Sequence, residues 1–104
     1  RIAVIAAGER WHDGDSSLRP AIEDWLGAGA IIAQLPGRLS PEAQLAAEAF
    51  KYALPEMAER IAGASSGKEL VERGFGEDVA LASQWNVSNC APRLSDGAYV
   101  DGRA

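Results

Sequence analysis

The first apolar stretch of the chain runs from Ile2 to Ala6 and ends abruptly at Ala7-Gly8. An apolar run that stops at a glycine is typical of a short buried strand leading into a turn. Because every position of the run is apolar, both faces of the strand should be covered, as in the interior of a parallel or mixed sheet. The pattern therefore predicts a strand that needs neighbouring strands.

An amphipathic helix is predicted after this turn, with Ser17 as its N-cap and Pro20 in its first turn. A rotation of about 100° per residue places Asp24 at the border of the buried face and Glu23 on the opposite side. The small residues from Gly27 to Ala30 should let another element approach the helix backbone closely. The residues predicted to share the buried face are Leu18, Ile22, Trp25, Gly29 and Ile32.

A second helix is predicted to begin at Ser40-Pro41, where serine supplies an N-cap and proline the first helical residue. Its apolar stripe continues to Gly63, but Pro55 removes a backbone hydrogen bond and should kink the helix or divide it in two. We interpret the stripe as core rather than as the wall of a ligand site. It consists of Leu45, Ala49, Tyr52 or Ala53, Met57 and Ile61.

The last third of the chain predicts two short helices and a hairpin. Ser66 and Glu69 have the spacing of a capping box, which makes Ser66 the N-cap of the first of these helices. Gly74 is suited to the left-handed residue that ends it. A further helix is predicted from Glu77 to Trp85, and an Asp96-Gly97 turn predicts a terminal hairpin.

These elements predict a single domain over residues 1–104 with a helix-rich α/β architecture and too few strands for a complete sheet. The neighbours that the N-terminal strand needs must come from the terminal hairpin or from a second chain. That chain would be another copy or a separate N-terminal half. We therefore expect a homo-oligomer or an association with such a half.

The composition narrows the class of protein. The 104 residues are 47% hydrophobic and carry a formal net charge of −5, with the basic residues scattered, so we expect no nucleic-acid partner. No apolar run approaches the roughly 20 residues needed to span a bilayer, and no signal segment is evident, so we expect no membrane association and a cytoplasmic location. Cys90 is the only cysteine. It excludes a disulfide within the chain and is expected to be a packed thiol.

The candidate chemistry lies between Glu9 and Asp24, where eight ionisable residues occur within sixteen positions. An acidic protein that handles an anionic substrate must concentrate its few positive charges locally or use a metal ion. Arg10, Arg19 and Mg²⁺ are the candidates for that role. The competing interpretation of the same charges is a solvated surface loop.

Three stretches resemble the 2-phosphosulfolactate phosphatase family: AGE at Ala7 to Glu9, SLRPAIEDWLGAGA at Ser17 to Ala30, and SGKELVERGFGEDV at Ser66 to Val79. The resemblance covers most of the chain and corresponds to the C-terminal half of the family's members. Relative to the family pattern, Asp15 and Ser16 look like a small insertion between the glycine turn and the helix. The N-terminal half of the family, with its own strand-to-helix motif, has no counterpart in this sequence.

The resemblance implies the helix-rich portion of a three-layer α/β/α mixed-sheet fold. It also implies a Mg²⁺-dependent phosphatase that acts on 2-phosphosulfolactate, or a similar small phosphorylated acid, on a route to coenzyme M. The expected metal ligands are Glu9 and Asp24, which with Arg19 form the expected catalytic set. The expected substrate-binding residues are Gly8, Arg10, Ser66 and Gly67.

Alternatives remain for several of these assignments. The Ser66-Gly67 pair could cap a helix without binding an anion. Asp78 is interpreted first as a helix-dipole partner, and His12 as an exposed loop residue rather than a general acid. For the whole chain, the alternative to an incomplete phosphatase is a non-catalytic binding or interaction module derived from the same family.

Overall fold

The computed structural model of the chain describes residues 1–103. Helices dominate, and the strands form two separate antiparallel pairs, β1 with β2 and β3 with β4. In chain order the elements are β1 (Glu9–Arg10), β2 (Leu18–Arg19), α1 (Ile22–Ile32), α2 (Pro41–Ala53), a 3₁₀ turn (Leu54–Glu56), α3 (Met57–Gly63), α4 (Ser65–Glu72), α5 (Gly76–Ala82), β3 (Pro92–Ser95) and β4 (Ala98–Asp101). The prediction of a helix-rich α/β architecture is confirmed.

The N-terminal segment differs from its prediction as a buried strand. Residues 1–8 form no strand, and Ile2 and Ile5 are 69% and 88% exposed. The reason is that a strand exists only through its ladder, and within residues 1–103 neither two-stranded sheet includes this segment. The prediction that the hairpin could pair with the segment is therefore wrong for this chain.

Helix α1 begins later than predicted. Ala21 is its N-cap, without a side-chain hydrogen bond, while Leu18–Arg19 pairs with Glu9–Arg10 in a short antiparallel ladder. The cause is local, since Arg19 precedes Pro20 and a residue before proline is pushed from helical to extended backbone. Leu18 consequently lies outside the helix and is 71% exposed.

The predicted buried face of α1 is confirmed in part, because Gly29 and Ile32 are buried. Trp25 is 49% exposed, and the buried positions include Leu26, Ala30 and Ile32. The predicted close approach occurs at Gly29, where a Cβ atom would overlap the carbonyl oxygen of Ala46 in α2. The main helix pair of the fold is thus packed backbone against backbone.

Two small apolar clusters hold the helices together. One joins α1, α2, α3 and α5 through Leu26, Ala53, Ile61 and Val79. The other joins α1 and α2 through Ile32, Ala46 and Ala47, with Val4 of the N-terminal segment packed against it. Of the apolar stripe predicted for α2 and α3, Ala53 and Ile61 are buried, whereas Leu45 and Tyr52 are exposed.

The boundaries around α2 agree with the sequence. Ser40 caps the helix, its hydroxyl accepting a hydrogen bond from the Ala43 N–H at 3.2 Å, and Pro41 is the first helical residue. The predicted division near Pro55 is also found, because the 3₁₀ turn Leu54–Glu56 separates α2 from α3. Both features are set within a few residues of sequence.

Helix α4 starts one residue before the predicted capping box. Ala64 is its N-cap, with no side-chain hydrogen bond, so Ser66 is a helical residue and the capping box is absent. The end is as predicted. Gly74 has a φ of +90° after α4, and the Phe75 N–H donates to the Leu70 carbonyl at 2.8 Å.

The terminal hairpin is confirmed, with Pro92 paired to Asp101 at its open end. Asp96 and Gly97 have positive φ angles of 52° and 79°, as the predicted two-residue turn requires.

Cys90 is exposed, so its prediction as a packed thiol is wrong. Within residues 1–103, none of the helices combines the length and apolarity that crossing a bilayer requires.

Candidate functional site

Within the ionisable stretch, Glu9 to Arg19 folds as a small hairpin placed before α1, and Glu23 and Asp24 lie in the first turn of α1. The ladder of the hairpin is extended by the Trp11 N–H, which donates to the Ser17 carbonyl at 2.9 Å. At its tip the Asp13 carboxylate accepts from the Ser17 N–H at 3.3 Å and from its hydroxyl at 3.1 Å. Ser17, predicted to cap α1, thus closes this loop instead.

One hydrogen bond ties the start of the hairpin to the helix. The Gly8 N–H donates to Oδ2 of Asp24 at 2.9 Å, across sixteen residues of sequence. Gly8 has a φ of +75°, a left-handed conformation that favours glycine. The bond places Asp24, in the first turn of α1, beside the residue that precedes Glu9. Of the two carboxylates predicted to hold a metal, Asp24 is thus bound to the hairpin backbone, while Glu9 faces Arg19.

Arg19 is the most buried charged residue of the site, with 7% of its surface exposed. Its Nη1 and Nη2 atoms donate to the Glu69 carboxylate at 2.9 and 3.2 Å, a bidentate pair. Its Nε atom lies 3.5 Å from Oε2 of Glu9. The guanidinium also stacks over the Trp11 ring, 4.1 Å from the ring centroid. Two carboxylates and an aromatic ring thus surround one positive charge.

The pairing fixes the charge state of both partners. The hydrogen bond with Glu69 raises the pKa of the Arg19 guanidinium, and the same bond lowers the pKa of the Glu69 carboxyl. His12 makes a smaller contribution to the lowered pKa of Glu69. This places His12 within electrostatic range of the cluster, although it lies on an exposed loop. Arg19 and Glu69 are both ionised at neutral pH.

Glu69 and Trp11 are the members of the cluster that sequence analysis missed. Glu69 was assigned to a capping box, and it lies fifty residues from Arg19 in the sequence. No local spacing connects residues so far apart. The one available signal was electrostatic: a buried arginine in an acidic chain needs a carboxylate partner, and α4 offers two, Glu69 and Glu72.

Arg10 lies on the exposed side of the hairpin. Its Nη1 atom donates to the Ser16 carbonyl at 2.6 Å, which steadies the loop tip. Ser16 itself has a positive φ of 47°. Since Arg10 is exposed and its structure shows no carboxylate partner among residues 1–103, it is the arginine of this hairpin whose charge remains available to an anion.

Ser66 and Gly67, predicted to bind substrate, lie in α4 and not in the hairpin. Both are buried in α4, and a Cβ atom at Gly67 would overlap the carbonyl oxygen of Ile61 in α3. They share α4 with Glu69, and Ser66 precedes Glu69 by one helical turn. Their burial favours a packing role, in which they fix the position of the helix that carries Glu69.

The donor set of the site suits a hard cation only in part. Within residues 1–103, no group of three or more His, Cys, Asp or Glu side chains could enclose a metal ion. Mg²⁺ is commonly held by only one or two carboxylates, with waters and substrate phosphate oxygens completing its shell. Glu9 and Asp24 fit that minimal pattern. Arg19 competes for Glu9, so the metal would have to share this carboxylate with the guanidinium.

Comparison with known proteins identifies relatives of the whole chain. The family model described as 2-phosphosulpholactate phosphatase matches residues 1–97. A curated protein named "Probable 2-phosphosulfolactate phosphatase" from Gloeobacter violaceus is 31% identical over 102 residues, which cover 97% of this chain and 41% of the relative. A protein of the same name from Pseudothermotoga lettingae is 23% identical over 100 residues, 95% of this chain and 42% of that relative.

These alignments cover nearly all of this chain but less than half of each relative. The chain spans about two fifths of the length of the curated relatives that it matches. No solved structure matches it. The likeness is therefore to part of a longer protein.

Proposed function

Because this chain belongs to the 2-phosphosulpholactate phosphatase family, we propose that it supplies part of the active site of a phosphoric monoester hydrolase. The proposed substrate is 2-phosphosulfolactate or a similar small phosphorylated acid. The observation that carries the proposal is the Gly8–Asp24 hydrogen bond, which holds the Asp24 carboxylate against the residue that precedes Glu9, whose own carboxylate lies 3.5 Å from Nε of Arg19. Carboxylates beside guanidinium groups are the side chains that phosphoryl transfer uses.

Each residue has a proposed task. Glu9 and Asp24 would hold Mg²⁺ by oxygen, and the metal when bound would neutralise charge on the phosphoryl oxygens. Arg10, on the exposed side of the hairpin, would contact the anionic substrate. Arg19 would not contact the substrate directly, since its guanidinium is already paired with Glu69 and Glu9. It would position Glu9 and contribute long-range positive charge to the site.

We propose that the rest of the active site comes from the part of a family-length protein that this chain does not span. Phosphoryl transfer depends on positioning and electrostatic stabilisation by several groups, and the chain spans only about two fifths of its relatives. We therefore expect the isolated chain to hydrolyse 2-phosphosulfolactate feebly or not at all. Joining or mixing it with the unmatched part of the Gloeobacter violaceus relative should produce Mg²⁺-dependent phosphate release.

The variants that test the site replace a carboxylate with an amide of nearly the same shape. Asn at position 24 can still accept from the Gly8 N–H, so Asp24→Asn removes charge without removing the hydrogen bond. In the complemented protein we expect Asp24→Asn and Glu9→Gln each to lower the rate of phosphate release by about 100-fold. Glu48→Gln, on the exposed face of α2, is the matched control and should leave the rate unchanged.

Metal binding has a readout of its own. Calorimetric titration with Mg²⁺ should show weaker binding in Glu9→Gln and in Asp24→Asn than in the unaltered protein. Unchanged affinity in both variants would place the metal elsewhere.

A specific observation supports the alternative function. Arg19 is paired with two carboxylates of its own chain, bidentately with Glu69 and at 3.5 Å with Glu9, which is the geometry of a structural clamp. If the complemented protein releases no phosphate from any of a panel of small phosphorylated acids, the chain is a binding or interaction module instead. Arg19→Lys separates the two further, because lysine keeps the charge but loses the bidentate fork.

A further inference from the structure

The N-terminal segment has an unpaired backbone. Among residues 1–103, no backbone-to-backbone hydrogen bond involves any of residues 1–7. Backbone N–H and C=O groups in folded proteins are nearly always paired when they are covered. An apolar segment such as Ile2 to Ala6, with neither edge paired, therefore has the properties of a strand that lacks its sheet.

One face of this segment already rests on the helices. Val4 packs against the cluster of Ile32, Ala46 and Ala47. A groove of about 720 Å³ separates the rest of the segment from α1 and α2. We call this surface, whose lining includes Ile2, Val4, Ala6, Trp25, Ile32 and Ala43, the N-terminal groove. Ile5 does not line it and is 88% exposed, so the other face of the segment is open as well.

The exposed surface area of the chain shows how much more surface it leaves uncovered than a folded monomer of the same mass. A folded monomer of this mass, 11.0 kDa, should expose about 5,600 Å². The chain exposes 8,081 Å², an excess of about 2,500 Å². Its radius of gyration is 15.2 Å, where about 13 Å is expected for this length. An excess of this size equals one partner's share of a large obligate interface.

We infer that residues 2–6 are an unpaired inner strand, and that they and the N-terminal groove bind extended strands from the part of a family-length protein that this chain does not span. These strands would add to the backbone edges of residues 2–6, with apolar side chains covering Ile5 and filling the groove. This docking surface does not depend on the proposed phosphatase chemistry.

Two observations select this occupant over a second copy of the chain. The curated relatives are more than twice as long as the region matched, so a family-length protein has ample chain to supply neighbouring strands. A two-fold dimer would pair residues 2–6 with their own copy along one edge and leave the other edge bare. A strand that is apolar on both faces is typical of the interior of a parallel or mixed sheet, where strands pair along both edges.

The test uses the chain together with the unmatched part of the Gloeobacter violaceus relative. The two are co-expressed as separate polypeptides and, in a second arm, joined through a flexible Gly/Ser linker. We expect a one-to-one complex in sedimentation, and slowed amide hydrogen exchange of residues 2–6 in both arms. Binding of a hydrophobic dye to the chain should fall in the same samples.

Variants separate strand pairing from nonspecific apolar contact. Ala3→Pro removes one N–H donor and should weaken the complex at least about tenfold, because an inner strand does not tolerate proline. Ile5→Lys places a charge where cover is expected and should weaken it similarly. Leu45→Lys, on the exposed face of α2, is the matched control and should bind as the unaltered chain does.

Three results would overturn the docking surface. They are the absence of a complex between the separate polypeptides together with free exchange of residues 2–6 in the linked protein, a complex in which residues 2–6 still exchange freely, and a dimer of the chain alone in which those residues are protected. A complex that protects residues 2–6 but releases no phosphate supports the docking surface and contradicts only the proposed function.

Discussion

At the scale of single residues, the Arg19–Glu69 pair is the interaction on which the candidate site depends. It joins the hairpin β1–β2 to α4 through a buried guanidinium. Burial of a charge is tolerated only where a partner of opposite charge is present. The position of the hairpin against α4 therefore depends on the carboxylate of Glu69.

We expect Glu69→Gln to lower the thermal unfolding midpoint of the chain. Glutamine can accept one hydrogen bond from Arg19 but leaves its buried charge compensated by Glu9 alone. Glu48→Gln is the control, since Glu48 forms an exposed pair with Lys51 and should matter little. Equal midpoints for the two variants, measured by circular dichroism, would mean that Glu9 and Trp11 suffice to hold Arg19.

The same pair makes stability depend on pH in a defined direction. Its hydrogen bond with Arg19 holds the pKa of Glu69 below the ordinary glutamate value of about 4.3. The unfolded chain then binds the proton more readily than the folded chain does. The stabilisation is therefore complete above about pH 4.3 and is lost as the pH falls from there through the lower, folded-state pKa.

Urea unfolding at a series of pH values measures this effect. The free energy of unfolding of the unaltered chain should fall more steeply between pH 5 and 3 than that of Glu69→Gln (about one unit either side of the glutamate pKa). Asp101, whose pKa is lowered chiefly by the Arg103 N–H, contributes to the slope of both proteins equally. Identical slopes would show that Glu69 is not coupled to folding.

At the scale of elements, the α1–α2 contact is set by one glycine. Gly29 lets the helices meet at the Ala46 carbonyl, whereas Gly27, two residues earlier, has open space where its Cβ atom would be. Both are helical, so alanine should raise helix propensity at either position. Only the packing differs, which makes the two positions a matched pair.

We predict opposite signs for the two substitutions. Gly27→Ala should stabilise the chain by about 0.5–1 kcal/mol. Gly29→Ala should destabilise it by about 1–3 kcal/mol, because a methyl group there must push the helices apart. Denaturant unfolding of both variants under one set of conditions checks the prediction. Stabilisation by Gly29→Ala would show that α1 and α2 can separate without loss.

At the scale of the whole molecule, the chain buries less surface than its length allows. Its area of 8,081 Å² corresponds to about three quarters of the burial expected on folding a chain of this mass. The apolar contacts are divided between two small clusters that involve small side chains such as Ala46 and Ala47. The chain therefore leaves more of its surface exposed than a compact monomer of the same mass does.

This deficit should appear in the denaturant dependence of unfolding. Since the urea m-value scales with the area exposed on unfolding, we expect about three quarters of the value typical for 104 residues. Unfolding followed by tryptophan fluorescence provides the measurement. A full-sized m-value together with a midpoint independent of protein concentration would contradict the prediction, since it would show a well-buried monomer.

The sequence by itself determined the features that are set within a few residues. The cap at Ser40, the division at Pro55, the helix end at Gly74 and the turn at Asp96-Gly97 were all predictable, because capping and turn chemistry are local. The helix-rich α/β class followed from the same elements. The family assignment also came from the sequence, because its motifs are read residue by residue.

Only the tertiary structure decided which distant groups meet. It paired Arg19 with Glu69 across fifty residues, stacked Trp11 on the same guanidinium, and turned Leu18 out of α1 into a ladder with Arg10. It also left Ile2 to Ala6 without a ladder, although their apolarity predicts a strand. Local chemistry specifies a helix or a turn, but a strand, an ion pair and a site each need a second segment, and its position is fixed by the packing of the whole molecule.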